Sequence, residues 1–231
     1  MMKHTLSAAI ITGCVLLSAC STTKDPEILY KGQSAHQIYT GAEQNLAARK
    51  YDSAISHYEG LDALYPFSQY SEQAMLDSIY AYYQSGDYAT AAATAARFTH
   101  VYPANQHVDY AYYMKGVAEM IQDRPFSQRY LPMDLSMRDL VSPKKAYADF
   151  AILTQKFPNS IYAPDARQRM VYLRNLFAQR QVEIAQFYFV RHAYVASANR
   201  ANVVLTQYKG TPAEKQALEI VQQSYQALGK K

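Results

Sequence analysis

Residues 51–66 read YDSAISHYEGLDALYP, and the spacing inside this stretch decides the fold. Tyr51, Ala54, Tyr58 and Leu61 fall on one face of an α-helix, and Tyr65-Pro66 ends the run. The arrangement returns as Tyr88, Ala91, Ala95 and Phe98 before Tyr102-Pro103, and as Ala146, Phe150 and Leu153 before Phe157-Pro158. Each time alanine precedes proline by 12 residues, and an aromatic residue stands directly before the proline. The small side chain lets two helices approach closely. The proline stops the helix because it has no N–H to continue the hydrogen-bond ladder.

Position by position these segments resemble the second helix of a tetratricopeptide repeat. The matching first helices carry Ile38 with Ala42, Met75 with Ile79, and Tyr112 with Gly116. Asn45 and Ile79 depart from the residues usual in that repeat. Ser34-x-x-Gln37 reads as a capping box, Ser142-Pro143 as a cap residue before proline, and Asp87 after Gly86 as a cap within a tight turn. The expected fold is all-α: a tetratricopeptide-repeat solenoid of about five helix pairs in a right-handed superhelix, over residues 34–229.

The spacing of the prolines locates the irregularities. Pro66 to Pro103 is 37 residues, near the common period of about 34. Pro103 to Pro158 is 55, and the excess is assigned to a loop-like insertion at about 122–141, where Pro125 and Pro132 lie. The fourth unit, with Tyr194, Ser197 and Tyr208, has Lys209 where proline is expected. Phe157 to Tyr208 is 51 residues, 14 beyond the 37-residue spacing, and no Gly or Pro occurs between Asp165 and Lys209. That excess is about four helical turns, so a lengthened first helix is predicted. A last helix, Ala213 to Leu228, is expected to cap the stack through Leu218, Val221, Tyr225 and Leu228.

The N-terminus points to export. Lys3 and His4 precede an apolar run from Leu6 to Leu17, too short to span a bilayer permanently. Leu17-Ser18-Ala19-Cys20 follows and resembles a bacterial lipobox, with Cys14 the weaker alternative. Residues 1–19 are therefore expected to be a lipoprotein signal peptide. Cys20 is expected to be the diacylated residue, and 20–33 a lipidated linker. Two acyl chains hold a protein where one would exchange. Ser21, where Asp would resemble an inner-membrane retention signal, favours the periplasmic face of the outer membrane.

Charge divides the chain. Residues 1–140 carry 10 basic and 14 acidic side chains, whereas residues 141–231 carry 13 basic and 5 acidic. Two surfaces with different partners are implied, and no nucleic-acid target is expected at an anchored periplasmic position. Little in the sequence supports catalysis. The mature histidines form no His-x-x-x-His pair, and no phosphate-cradling glycine loop or Gly-x-Ser-x-Gly elbow occurs. No metal, no cofactor and no enzymatic activity are expected. Stacked helix pairs offer instead a concave groove lined by their first helices, suited to a peptide. Tyr80, Tyr82 and Tyr83 cannot all face one way on a helix, so at least one is expected to reach the groove.

Longer strings carry a more specific resemblance. Tyr65-Pro66-Phe67-Ser68-x-Tyr70-Ser71, Leu76-Asp77-x-Ile79-Tyr80-Ala81-Tyr82-Tyr83, Arg138-Asp139, Phe157-Pro158-Asn159-Ser160 and Asn199-Arg200 are similar to the BamD family of outer-membrane assembly lipoproteins. The resemblance implies a non-catalytic scaffold in the machinery that folds β-barrel proteins into the outer membrane. By that resemblance, N-terminal repeats receive the aromatic-ended signals of unfolded barrel proteins, with Tyr65, Phe67, Tyr70, Tyr80 and Tyr83 as groove residues. C-terminal repeats dock the central barrel subunit, BamA, and other lipoproteins join nearby. Arg200 matches the family's contact to that subunit, Arg191 is its neighbour, and Arg138 with Asp139 belong to the same partner-binding set. Two rival classes share anchor and fold: a scaffold for cell-wall or division enzymes, and a DNA-uptake lipoprotein.

Overall fold

The computed structural model describes residues 26–122 and 139–229. The expected signal peptide, Cys20, Arg138 and most of the expected insertion lie outside these residues. A single turn, α1 (Pro26–Leu29), precedes α2 (Ala35–Ala47), α3 (Tyr51–Leu64), α4 (Ser71–Ser85), α5 (Tyr88–Val101) and α6 (Val108–Gln122). Beyond the insertion follow α7 (Val141–Lys156), α8 (Ala163–Val190), α9 (Tyr194–Gln207) and α10 (Ala213–Gly229). Among the described residues there is no strand. Helices pair as α2/α3, α4/α5, α6/α7 and α8/α9, each second helix packs on the next first helix, and α10 closes the stack against α8 and α9. This is the tetratricopeptide-type solenoid that the repeat predicted.

The recurring small residue is where the pairs close. Ala54, Ala91 and Ala146 are wholly buried, as are Phe98, Phe150 and Leu153 on the same helix faces. Each second helix ends at the aromatic residue. The N–H groups of Tyr65, Tyr102 and Phe157 donate to Leu61, Phe98 and Leu153, each at 2.8 Å. All three aromatics leave the helical region, with ψ between 56° and 60°, as a residue before proline must. Tyr208 ends α9 in the same way, bonded to Val204 at 3.0 Å, although Lys209 follows it. Gly210, at φ +78°, turns the chain there in place of proline.

The turns are tied across repeats by one recurring bond. Asn105 Nδ2 donates to Glu72 Oε2 at 2.6 Å, and Ser160 Oγ donates to Asp109 Oδ2 at 2.6 Å. Glu72 and Asp109 occupy the same place in the first turns of α4 and α6, one 37-residue period apart. The turn side chains also accept from the N–H two residues on: His107 to Asn105, and Tyr162 to Ser160. Each turn is thereby fixed to itself and to the repeat before it.

Helix starts follow the sequence with one correction. Ser34 and Gln37 form the reciprocal capping box, and Asp87 accepts from the Thr90 N–H at 3.0 Å. Ser142 does not cap α7: it lies inside the first turn, buried, where its Oγ accepts from Gln122 Nε2 at 2.6 Å. The Asp139 carboxylate takes the cap instead, accepting the Val141 N–H at 3.1 Å.

The fourth first helix is a continuous 28-residue α8, as predicted. Its N-terminal half packs Leu173 and Phe177 with α7, and its C-terminal half packs Ala178, Val182 and Ala185 with α9 and α10. Ser197 stands where alanine stands in earlier repeats. Its buried hydroxyl donates to the Ala185 carbonyl at 2.8 Å and accepts from Ser224 at 3.3 Å. The packing face of α10 differs from expectation. Ala213, Ala217, Ile220 and Ser224 face inward, while Leu218 and Tyr225 are 48% and 58% exposed. Close approach to α9 selects the small residues, leaving the larger ones outside.

Gly116 shows how tight the pairing is, since a Cβ there would sit 2.7 Å from the fully buried Phe150 ring. Gly116→Ala is therefore expected to destabilise the fold by about 1–3 kcal/mol. For a chain of this size that lowers Tm by about 2–4 °C per kcal/mol, readable by circular dichroism melting.

Candidate docking faces of the solenoid

Among the described residues, the first helices α2, α4, α6 and α8 leave one face open, and tyrosine occupies it at repeated positions. Tyr39 on α2 stacks on Tyr70, just before α4, with ring centroids 4.9 Å apart and 17° between planes. Tyr113 on α6 stacks on Tyr162, just before α8, also at 4.9 Å and at 20°. Tyr39 and Tyr113 lie two 37-residue periods apart, and Tyr70 and Tyr162 each follow a loop proline by four residues. The two junctions are one structural element used twice.

Their polar partners differ. Tyr39 donates to Asp77 Oδ2 at 3.4 Å, and Gln73 Nε2 holds both oxygens of that carboxylate at 2.9 and 3.0 Å. Tyr113 donates to Asp165 Oδ2 at 2.7 Å, and Arg169 Nε reaches the same oxygen at 2.5 Å. Burial and the facing Glu43 carboxylate push Asp77 up to about 6. Burial acts on Asp165 in the same direction, but hydrogen bonds from Arg169 and Tyr113 outweigh it and hold Asp165 below the usual carboxylate range. Burial raises Tyr39, Tyr58 and Tyr110, so their hydroxyls stay protonated donors at any physiological pH.

The tyrosines expected to line the groove are not all brought together. Tyr80 is 39% exposed, one turn beyond Asp77 on the open face, with its ring edge-on to Tyr51. Tyr70 reaches His36 Nδ1 at 3.1 Å, and Tyr65 donates to the Gln33 carbonyl at 2.7 Å. Phe67, at the tip of the same loop, is 97% exposed. Tyr83 instead turns into the packing between repeats, against Tyr88 and the cluster around Phe98. Tyr82 points toward α3 and donates to Glu59 at 2.8 Å. Of the face residues that the sequence reading missed, Tyr39 and Tyr113 recur at twice the repeat spacing and Asp77 lies three residues before Tyr80, whereas no spacing marks Glu43.

At the other end, Asn199 and Arg200 are exposed on α9 beside an open depression of about 330 Å³, lined also by Tyr188, Ala196 and Val203. Among the described residues no carboxylate lies within 4 Å of Arg200. Arg191, which ends α8, lies over the Phe187 ring at 3.5 Å and donates to the Phe187 carbonyl at 3.4 Å. Asp139 is exposed, its carboxylate used as the α7 cap. Among the described residues no cluster of three His, Cys, Asp or Glu side chains could hold a metal, and no helix is long and apolar enough to cross a membrane.

A second acidic pair is buried away from the open face, between α6 and α7. Glu119 lies beside Asp149, whose Oδ1 accepts from Lys115 Nζ at 2.9 Å, and among the described residues Glu119 Oε2 and Asp149 Oδ2 have no hydrogen-bond partner. Burial and then Asp149 raise Glu119, so the folded chain holds a proton that the unfolded chain releases. Its stabilising contribution is present at low pH and lost as pH rises through the folded value. Glu119→Gln, which keeps a hydrogen-bond donor at every pH, is expected to raise Tm relative to the unchanged protein. The gain should widen from pH 5 to pH 8 in buffered melting curves.

The combination defines a class: a helical-repeat solenoid with tyrosines on one face of its first helices and, among the described residues, an α9 arginine with no carboxylate within 4 Å. The chain belongs to the YfiO family of outer membrane lipoproteins, whose model matches residues 31–231. It is 39% identical to the outer membrane protein assembly factor BamD of Vibrio cholerae, over 99% of this chain and 93% of that one. It is 34% identical to that of Xylella fastidiosa, over 98% of this chain and 77% of the relative. With the BamD of Neisseria meningitidis serogroup A the identity is 36%, over 93% and 81%.

Proposed function

We propose that this protein is a non-catalytic, lipid-anchored scaffold for the assembly of outer-membrane β-barrel proteins. The observation that carries the reading is Arg200, with no carboxylate within 4 Å among the described residues, beside Asn199 and an open depression, in a chain whose BamD relatives are named assembly factors. An exposed arginine without an intramolecular carboxylate is available to a partner's, and such charge pairs set partner choice. The C-terminal repeats, through Arg200 and Arg191, dock the central barrel subunit of the BamA type, with Asp139 and Arg138 near the insertion. The N-terminal open face, through Tyr65, Phe67, Tyr70 and Tyr80, receives the aromatic-ended signals of unfolded barrel proteins.

The anchor completes the arrangement. Residues 1–19 act as the signal peptide, Cys20 carries the lipid, and residues 20–33 tether the solenoid to the periplasmic face of the outer membrane. Cys20→Ala is expected to leave an uncleaved, unacylated precursor, read by metabolic labelling with a palmitate analogue. Labelling at the unchanged level would remove Cys20 as the anchor.

Arg200→Glu is expected to cut co-purification with the barrel subunit by at least about tenfold, a loss of about 1.4 kcal/mol, with an unchanged circular dichroism spectrum. Unchanged recovery would take Arg200 out of the interface.

A further inference from the structure

Tyr30 pins the N-terminal segment to α3. Its ring is 4% exposed and fills the notch left by Gly60, where an added Cβ would overlap the ring. The Tyr30 hydroxyl donates to Ser56 Oγ at 3.1 Å and lies 3.0 Å from His57 Nδ1, with the two rings 4.7 Å apart. Gly32, at φ +85°, then turns the chain, and the Tyr65 hydroxyl donates to the Gln33 carbonyl at 2.7 Å. Immediately before this clamp, the single turn of α1 leaves Ile28 and Leu29 70% and 44% exposed. Lys31 is exposed on the other side of Tyr30.

Chain length decides what Ile28 and Leu29 meet. Pro26 follows Cys20 by 6 residues, so α1 begins at most about 22 Å from the anchor. With Tyr30 unseated, the first fixed residue would be Ser34, 14 residues from Cys20 and up to about 50 Å away. We propose that Tyr30 clamps the lipid tether to α3 and so seats the exposed Ile28–Leu29 turn in the phospholipid surface beside the Cys20 anchor. The inference rests on the reading of Cys20 as the lipidated residue. A lipid surface is the occupant because the anchor's own acyl chains keep it within reach of this turn in every copy. Between Cys20 and Gln33, Lys24 and Lys31 balance Asp25 and Glu27, so the contact is apolar rather than electrostatic. Ile28 and Leu29 enter the boundary between headgroups and acyl chains, while Lys31 keeps its ammonium among the phosphates. A clamped tether gives the first repeat one orientation to the membrane, whereas a released one would let the solenoid swing.

The chain contains no tryptophan, so a single one serves as a reporter. Full-length lipoprotein carrying Ile28→Trp is reconstituted in vesicles of phosphatidylethanolamine and phosphatidylglycerol, with plain or brominated acyl chains, and floated on a density gradient. It is expected to float and to lose about half of its emission to the bromines, because interfacial side chains lie about 5–10 Å deep. Leu218→Trp, on α10 at the far end of the stack, is expected to keep its emission. Tyr30→Ala, added to Ile28→Trp, is expected to leave flotation intact and cut the quenching about twofold, since the reach of the tether more than doubles. Gly60→Ala ejects the same ring without altering the tether and favours the helix, so it serves should Tyr30→Ala fold poorly. Flotation without quenching of Ile28→Trp, or equal quenching at Leu218→Trp, would overturn the membrane seat and leave the Cys20 anchor standing. Full quenching in both clamp variants would overturn the role of Tyr30. Loss of flotation in every protein would instead sink the Cys20 anchor, and this inference with it.

Discussion

Every feature of this molecule depends on helices approaching more closely than bulky side chains allow. Ala54, Ala91 and Ala146 are wholly buried at the same place in three successive pairs, and Ser197 fills that place in the fourth. A methyl group there lets the partner helix lie against the backbone. Gly116 carries the rule to its limit, where the Phe150 ring occupies the space of a missing Cβ. Because the narrow crossing recurs at nearly fixed spacing, each pair repeats its predecessor's geometry, and the pairs can only stack. A stack of this kind buries one side of every helix and leaves the first helices with a face that no other described helix covers.

Repetition then brings chemistry to matching places without making it identical. The two tyrosine stacks share a geometry two periods apart, yet the carboxylate at one is held by the Gln73 amide and at the other by the Arg169 guanidinium. Backbone geometry is copied along a solenoid, whereas the side-chain partner at each junction is free to differ. The N-terminal junction is acidic and the C-terminal end is basic, so one solenoid presents two unlike surfaces.

The helix pairs, the long α8 and most turns were legible in the sequence because they rest on local rules. An alanine with a proline 12 residues later, a serine with a glutamine three residues later, or a run lacking glycine and proline has the same meaning wherever it lies. Readings that failed concerned choices between neighbours. On α10 the larger apolar residues pointed to Leu218 and Tyr225, but the narrow gap to α9 accepts Ala217 and Ser224. At α7 the sequence offered Ser142 as the cap, and the seam to α6 claimed its hydroxyl for Gln122 instead. Tyr83 reads like Tyr80 in one dimension and packs between repeats in three.

By itself the sequence determined that this chain is a stack of helix pairs, where each pair ends, and which family's strings it carries. Those facts follow from spacing, and spacing is written in one dimension. Only the tertiary structure decided which tyrosines remain on the open face, that no described carboxylate lies beside Arg200, and that Tyr39 meets Asp77. These residues lie on helices separated by whole turns and loops. Their meeting depends on how closely α2 settles on α4, a distance that the packing of all the intervening side chains sets together.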